Sequence, residues 1–187
     1  VSPNITFARS TNLGLIERFG GTEGIPLPER FFSGGSFSHR GFPNNQAGPR
    51  DDVTGFPLGG NALFFNTVEL RFPLVGDNLG GVLFHDAGNV YTQISRMTFR
   101  ATQRTGEFDY MAHAAGIGFR YRTPIGPLRV DLAYAPNAPR FSGFQGTRDE
   151  LLRCGGPTST NPNLPPCNSV PQRLSQFQFH FSLGQAF

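Results

Sequence analysis

The chain has no lysine and no tryptophan among its 187 residues, and only two methionines and two cysteines. All 16 basic residues are therefore arginine. Charged residues make up 16% of the chain, and the formal net charge is +3. So small an excess, without a basic cluster, leaves no electrostatic footprint for nucleic acid. No apolar run approaches the ~20 residues of a membrane-spanning helix. The mean hydropathy of -0.27 does not exclude a transmembrane β-barrel, whose lumen and loops are polar. None of His39, His85, His113 and His180 pairs with another at metal-ligand spacing, and no Gly-x-Ser-x-Gly nucleophile motif occurs. Asp86 beside His85 is no catalytic pair, because neighbours on a strand point to opposite faces. These absences argue against an enzyme, a resident metal or a cofactor.

What is abundant points to strands and turns. There are 20 Phe, 24 Gly and 16 Pro, a composition suited to sheet rather than helix. The length suggests one domain. The chain begins at Val1 without an initiator Met or a leader pattern, so it reads as a mature piece or a fragment of something longer.

Six strands are expected, at about 4–18, 61–74, 81–91, 109–123, 127–135 and 174–187. In the second, Val68, Leu70 and Phe72 alternate with Thr67, Glu69 and Arg71, giving one apolar and one charged face. In the third, Phe84, Asp86 and Gly88 share a face. In the fourth, Ile117, Phe119 and Tyr121 oppose Gly116, Gly118, Arg120 and Arg122. In the fifth, Leu128, Val130, Leu132 and Tyr134 oppose Arg129, Asp131 and Ala133.

The connections alternate in length. Long ones, about 20–60, 92–108 and 136–173, follow strands one, three and five; short turns follow strands two and four. An antiparallel up-and-down order places the long loops at one end and the turns at the other, as in transmembrane barrels. A soluble antiparallel sandwich also alternates apolar and polar faces. Its polar face meets bulk water, with no reason to collect Arg and Gly. The density of Glu69, Arg71, Asp86, Arg120, Arg122, Arg129 and Asp131 suits a hydrated lumen. The sandwich remains the non-membrane alternative.

The loop over about 20–60 exceeds the usual connection of a compact domain, so it is functional or disordered. Phe31, Phe32, Phe37, Phe42 and Phe56 are too many aromatics for a purely solvated linker. Arg40 lies among them, just before Gly41, and needs a carboxylate if it is buried. The plainer reading is a loop tip with a solvated Arg. Cys154 and Cys167 flank a segment rich in Pro, Gly and Asn, which suits neither helix nor strand. A local disulfide there would imply an oxidising compartment and contribute roughly 3 kcal/mol on the chain-entropy model; two free thiols are the alternative.

Several motifs occur together in order. They are Arg30-Phe31-Phe32-Ser33-Gly34-Gly35-Ser36, His39-Arg40-Gly41-Phe42, Val68-Glu69-Leu70-Arg71-Phe72-Pro73, Phe84-His85-Asp86-Ala87-Gly88, and the ending Phe179-x-Phe181-x-Leu183-Gly184-x-x-Phe187. On these residues, over about 5–187, the chain resembles the C-terminal barrel portion of the BamA/TamA superfamily of outer-membrane assembly and translocation proteins, also called bacterial surface antigens. His39 departs from the Val, Ile or Leu usual before the Arg.

The resemblance implies the last six of sixteen barrel strands, without the first ten and without the periplasmic POTRA domains. It implies a lumen latch made by Arg40, Gly41, Phe42, Glu69, Phe84, Asp86 and Gly88. It makes Phe179, Phe181, Leu183, Gly184 and Phe187 an assembly signal, with the last strand forming one side of a lateral gate. The implied partners are the lipid bilayer, nascent outer-membrane proteins and accessory assembly subunits, in the bacterial outer membrane. The alternatives within reach are a two-partner secretion translocator and a passive pore or surface antigen. Six strands fall short of the smallest usual bacterial barrel of about eight. Two free sheet edges invite pairing with other chains, so the expectation is an incomplete barrel, a homo-oligomer formed by edge pairing, or a fragment of a larger assembly.

Overall fold

The structure, a computed structural model, describes residues 5–21, 24–76, 78–124, 126–154 and 164–184. Its main sheet is an antiparallel meander. The strands are β1 (Thr6–Leu15), β2 (Ala62–Val75), β3 (Leu79–Tyr91), β4 (Ala112–Thr123) and β5 (Gly126–Tyr134). A short hairpin follows, β6 (Arg140–Phe144) with β7 (Ser169–Arg173), and then β8 (Phe177–Leu183). The order in the main sheet is β1-β2-β3-β4-β5-β8. Among the described residues β1 and β8 are its two ends and do not pair with each other.

Period-2 patterning decides which side chains share a face. On the outer face, Ile117, Phe119, Tyr121, Leu132 and Tyr134 are each more than two-fifths exposed, as are Phe177, Phe179, Phe181 and Leu183. Such a continuous apolar surface is unusual for a soluble monomer and suits the lipid-facing band of a barrel. All three acids of the six strands, Glu69, Asp86 and Asp131, lie on the inner face and are buried. Asp131 meets Arg120 at 2.6 Å and Arg129 at 3.6 Å. His85 and His113 lie outward, their ring nitrogens 3.3 Å apart.

Glycines on β4 create the inner space. A Cβ at Gly116 would lie 2.1 Å from the Leu132 carbonyl oxygen and 2.5 Å from Phe84 Cζ. The Phe84 ring therefore fills a notch that any side chain there would close. Phe84 forms a small core with Val82 and Ala133.

Two differences from the sequence reading concern the connections. Residues 136–173, expected to be a plain loop, contain β6, the helix α1 (Arg148–Arg153) and β7. β6 and β7 pair antiparallel, from Arg140↔Arg173 to Phe144↔Ser169. α1 starts at a capping box: Thr147 accepts from the Glu150 N–H, and the Glu150 carboxylate accepts from the Thr147 N–H at 2.6 Å. The first strand ends earlier than expected, at Leu15, and the last begins later, at Phe177; the expected end of the last strand, 185–187, lies outside the described residues.

Candidate functional site

The long loop between β1 and β2 lies across the inner face of the sheet. Its base is closed by Arg30, whose Nε donates to the Ile25 carbonyl oxygen at 2.9 Å and whose Nη1 donates to that of Leu58 at 3.1 Å. A bridge between Phe31 and Gly60 draws the two ends together. Arg50 donates to the carbonyl oxygens of Gly55 and Gln46 and stacks 4.4 Å over the Phe141 ring. Burial pulls the Arg50 guanidinium down to about 10. Phe42 and Ala47 pack into a core with Tyr110 and Ala112.

Arg40 is 2% exposed, and Asp86 is fully buried. The Arg40 Nε donates to Asp86 Oδ2 at 2.8 Å and Nη2 to Oδ1 at 2.7 Å, a bidentate pair. The Arg40 backbone N–H also donates to Oδ2, at 3.0 Å. Nη1 donates to Glu69 Oε1 at 2.7 Å. Thr67 accepts from Nη2 at 2.9 Å and donates to Asp86 Oδ1 at 2.6 Å. The guanidinium lies 3.5 Å over the Phe84 ring. Burial opposes the charge on Arg40, but the Asp86 and Glu69 carboxylates outweigh it and hold the guanidinium above its ordinary range. The second oxygen of Glu69 is taken by Arg71, 2.7 Å away.

β2 and β3 bring the two carboxylates together through register. Glu69 pairs with Phe84 and Thr67 with Asp86, so Thr67, Glu69, Phe84 and Asp86 form a square on one face. Gly41 completes the approach. A Cβ there would lie 2.7 Å from Ala114 Cβ and 3.2 Å from Ala135 Cβ. Gly88 has a backbone φ of 149° and lies against the β2 backbone at Phe64 and Phe65; it is not among the hydrogen-bond partners of Arg40. A groove of about 420 Å³ remains beside the docked tip, lined by Phe37, Arg71 and Arg129 among others.

On β8, Phe179, Phe181 and Leu183 point outward, and the Gly184 N–H donates to the Pro127 carbonyl oxygen at 2.9 Å. Phe187 lies outside the described residues. Cys154 and Cys167 are joined by a disulfide, their Cα atoms 4.9 Å apart.

Three participants were absent from the sequence-based site. Thr67 could have been found from its i−2 spacing to Glu69 on the same face. Gly116 was seen on the inner face, but its facing ring could not be known without the β3–β4 register. His180, whose Nε2 lies 2.8 Å from the Arg40 carbonyl oxygen, gave no local signal.

Known proteins share this arrangement of chain. The chain is 33% identical to an outer membrane protein assembly factor BamA of Neorickettsia risticii over 141 residues, covering 69% of this chain and 18% of the relative. It is 30% identical to BamA of Nitratidesulfovibrio vulgaris over 106 residues, covering 56% of this chain and 12% of the relative. It thus spans less than a fifth of the length of these two relatives. The crystal structure of BamA from Haemophilus ducreyi lacking POTRA domains 1-3 superposes with a TM-score of 0.57 at 22% identity, covering 94% of this chain and 31% of that one. At that identity the likeness is one of fold. The Omp85 superfamily domain matches residues 1–187, and the chain belongs to the Omp85 superfamily.

Proposed function

We propose that this chain is the carboxyl-terminal portion of an outer-membrane β-barrel that assembles and inserts other outer-membrane proteins, and that its first long loop is a latch within the lumen. One observation carries the reading: a loop arginine 46 residues from Asp86 in sequence is buried against two carboxylates and a ring on the inner sheet face. Burying three charges is costly, so such a network serves geometry more than stability. The apolar outer face supplies the contact with the bilayer of the bacterial outer membrane. The assembly-factor names of the relatives supply the activity. The partners are nascent outer-membrane proteins and the accessory subunits that deliver them.

In this reading Arg40 holds the loop, and the loop steadies the strands next to the last one. Phe179, Phe181, Leu183 and Gly184, with Phe187, form the segment recognised during insertion. The exposed edge of β8 receives a client strand through main-chain hydrogen bonds, the general mode of strand addition. The same edge would also pair with a second copy of the chain in isolation. The test is insertion of a client barrel into liposomes by the full-length protein carrying Arg40→Met. A marked fall in insertion rate at unchanged barrel content supports the reading. A passive pore would keep its conductance and show no client insertion with or without the substitution.

A further inference from the structure

The loop tip is held by more than its carboxylates. His39 is 1% exposed. Its Nε2 lies 3.1 Å from the Ala112 carbonyl oxygen on β4, and its Nδ1 lies 3.2 Å from the Gly41 N–H. A carbonyl only accepts and an N–H only donates. Both contacts are satisfied together by one species alone, the neutral ring carrying its hydrogen on Nε2. The ring stands edge-on to Phe42 at 4.9 Å and tilts against Phe65 at 5.8 Å. From the opposite side, His180 on β8 donates from Nε2 to the Arg40 carbonyl oxygen at 2.8 Å.

We propose that His39 and His180 are the positioning residues of the loop tip, His180 fastening it to the last strand and neutral His39 fastening it to β4, so that acid releases it. The proposal rests on the latch reading. Protonated His39 would aim an Nδ1–H at the Gly41 N–H, two donors with no acceptor between them. Around His39, burial disfavours the charged ring most. Asp86 on β3 favours it, and His113 on β4 and Arg40 on the loop oppose it. Glu69 on β2 is occupied by Arg40 and Arg71, and His180 faces the Arg40 carbonyl. The balance lowers His39 below its ordinary value. Docking is therefore fully supported above about pH 6.5 and weakens as pH falls below it, the opening constant rising by up to about tenfold per pH unit. The His180 contact adds to the strength of docking, and the dependence proposed here is carried by His39.

The test uses the full-length protein in phosphatidylcholine liposomes, with nitroxides on cysteines replacing the exposed Phe37 and Phe99. Pulsed EPR distances are followed from about pH 7.5 to about pH 5, above the ordinary range of carboxylates. The wild type is expected to gain a displaced population as pH falls, and His39→Leu to lose that dependence. His180→Phe should raise the displaced population at every pH with the slope retained, and His180→Gln should reverse part of that rise. A wild-type slope in His39→Leu, a flat wild type, or an unchanged His180→Phe overturns the proposal. The ¹⁵N shifts of His39 in the unmutated protein give an independent check: a protonated Nδ1 at pH 7 overturns it too. The docked distance in Arg40→Met tests the latch itself, separately from the pH slope.

Discussion

Replacing Arg40 by Met keeps much of the side-chain volume and removes the charge. Asp86, fully buried, then loses two of its four hydrogen bonds, keeping those from Thr67 and from the residue-40 N–H. Glu69 loses less, because Arg71 still holds its second oxygen. Removing one partner of a buried pair costs about 3–5 kcal/mol. The upper end is limited, since neutralising an ordinary aspartate at pH 7 costs only about 4 kcal/mol. The expected loss of docking is thus about 3–4 kcal/mol, a roughly 100- to 1,000-fold rise in the opening constant. Hydrogen exchange by mass spectrometry on the full-length protein in detergent reads this at the loop. The Ala47 N–H, bonded to the Ser33 carbonyl oxygen at 2.9 Å, and the Phe42 N–H, bonded to that of His39, report on it. Adding Asp86→Leu should recover protection, because the orphaned charge is gone. A loss below about tenfold in Arg40→Met, or no recovery in the double variant, would refute the reasoning.

Gly41→Ala should undock the tip by about 1–3 kcal/mol, since its methyl meets Ala114 at 2.7 Å; the same exchange measurement reads it. Gly116→Val should displace the Phe84 ring and strike the Leu132 carbonyl, seen as loss of the heat-modifiable band on a gel. Cys154→Ser with Cys167→Ser should cost the β6–β7 region roughly 3 kcal/mol and speed proteolysis between the two positions, with the six-stranded sheet unchanged by circular dichroism. Thr147→Ala should fray α1 by about 1 kcal/mol, visible as faster exchange at the Leu151 N–H, which bonds the Thr147 carbonyl oxygen.

The strands were legible because each buries one face, which imposes period 2 on residues such as Val68 to Phe72. The inward set on β5, Arg129, Asp131 and Ala133, follows from the same alternation. Arg40 was legible because aromatic residues around a lone cation imply burial. The β6–β7 hairpin was not, since Arg140–Phe144 finds its partner about 30 residues later and five residues carry little pattern of their own. α1 did leave a signal, Thr147 followed at the third residue by Glu150, overshadowed by the Pro- and Gly-rich stretch after it. His180 could not be found, because its partner is a backbone carbonyl and any residue at position 40 would present one.

Arg40 touches both β2, through Thr67 and Glu69, and β8, through His180. Four strand spacings separate β2 from β8 in the order of the sheet, about 19 Å if the sheet lay flat. Side chains stand roughly perpendicular to a sheet, so a bridge from Glu69 through Arg40 to His180 favours a sheet that curls about the loop tip, with Arg40 as a chord across the arc. Any widening of the arc must first lengthen or cut that chord, so the loop converts a local contact into resistance to opening.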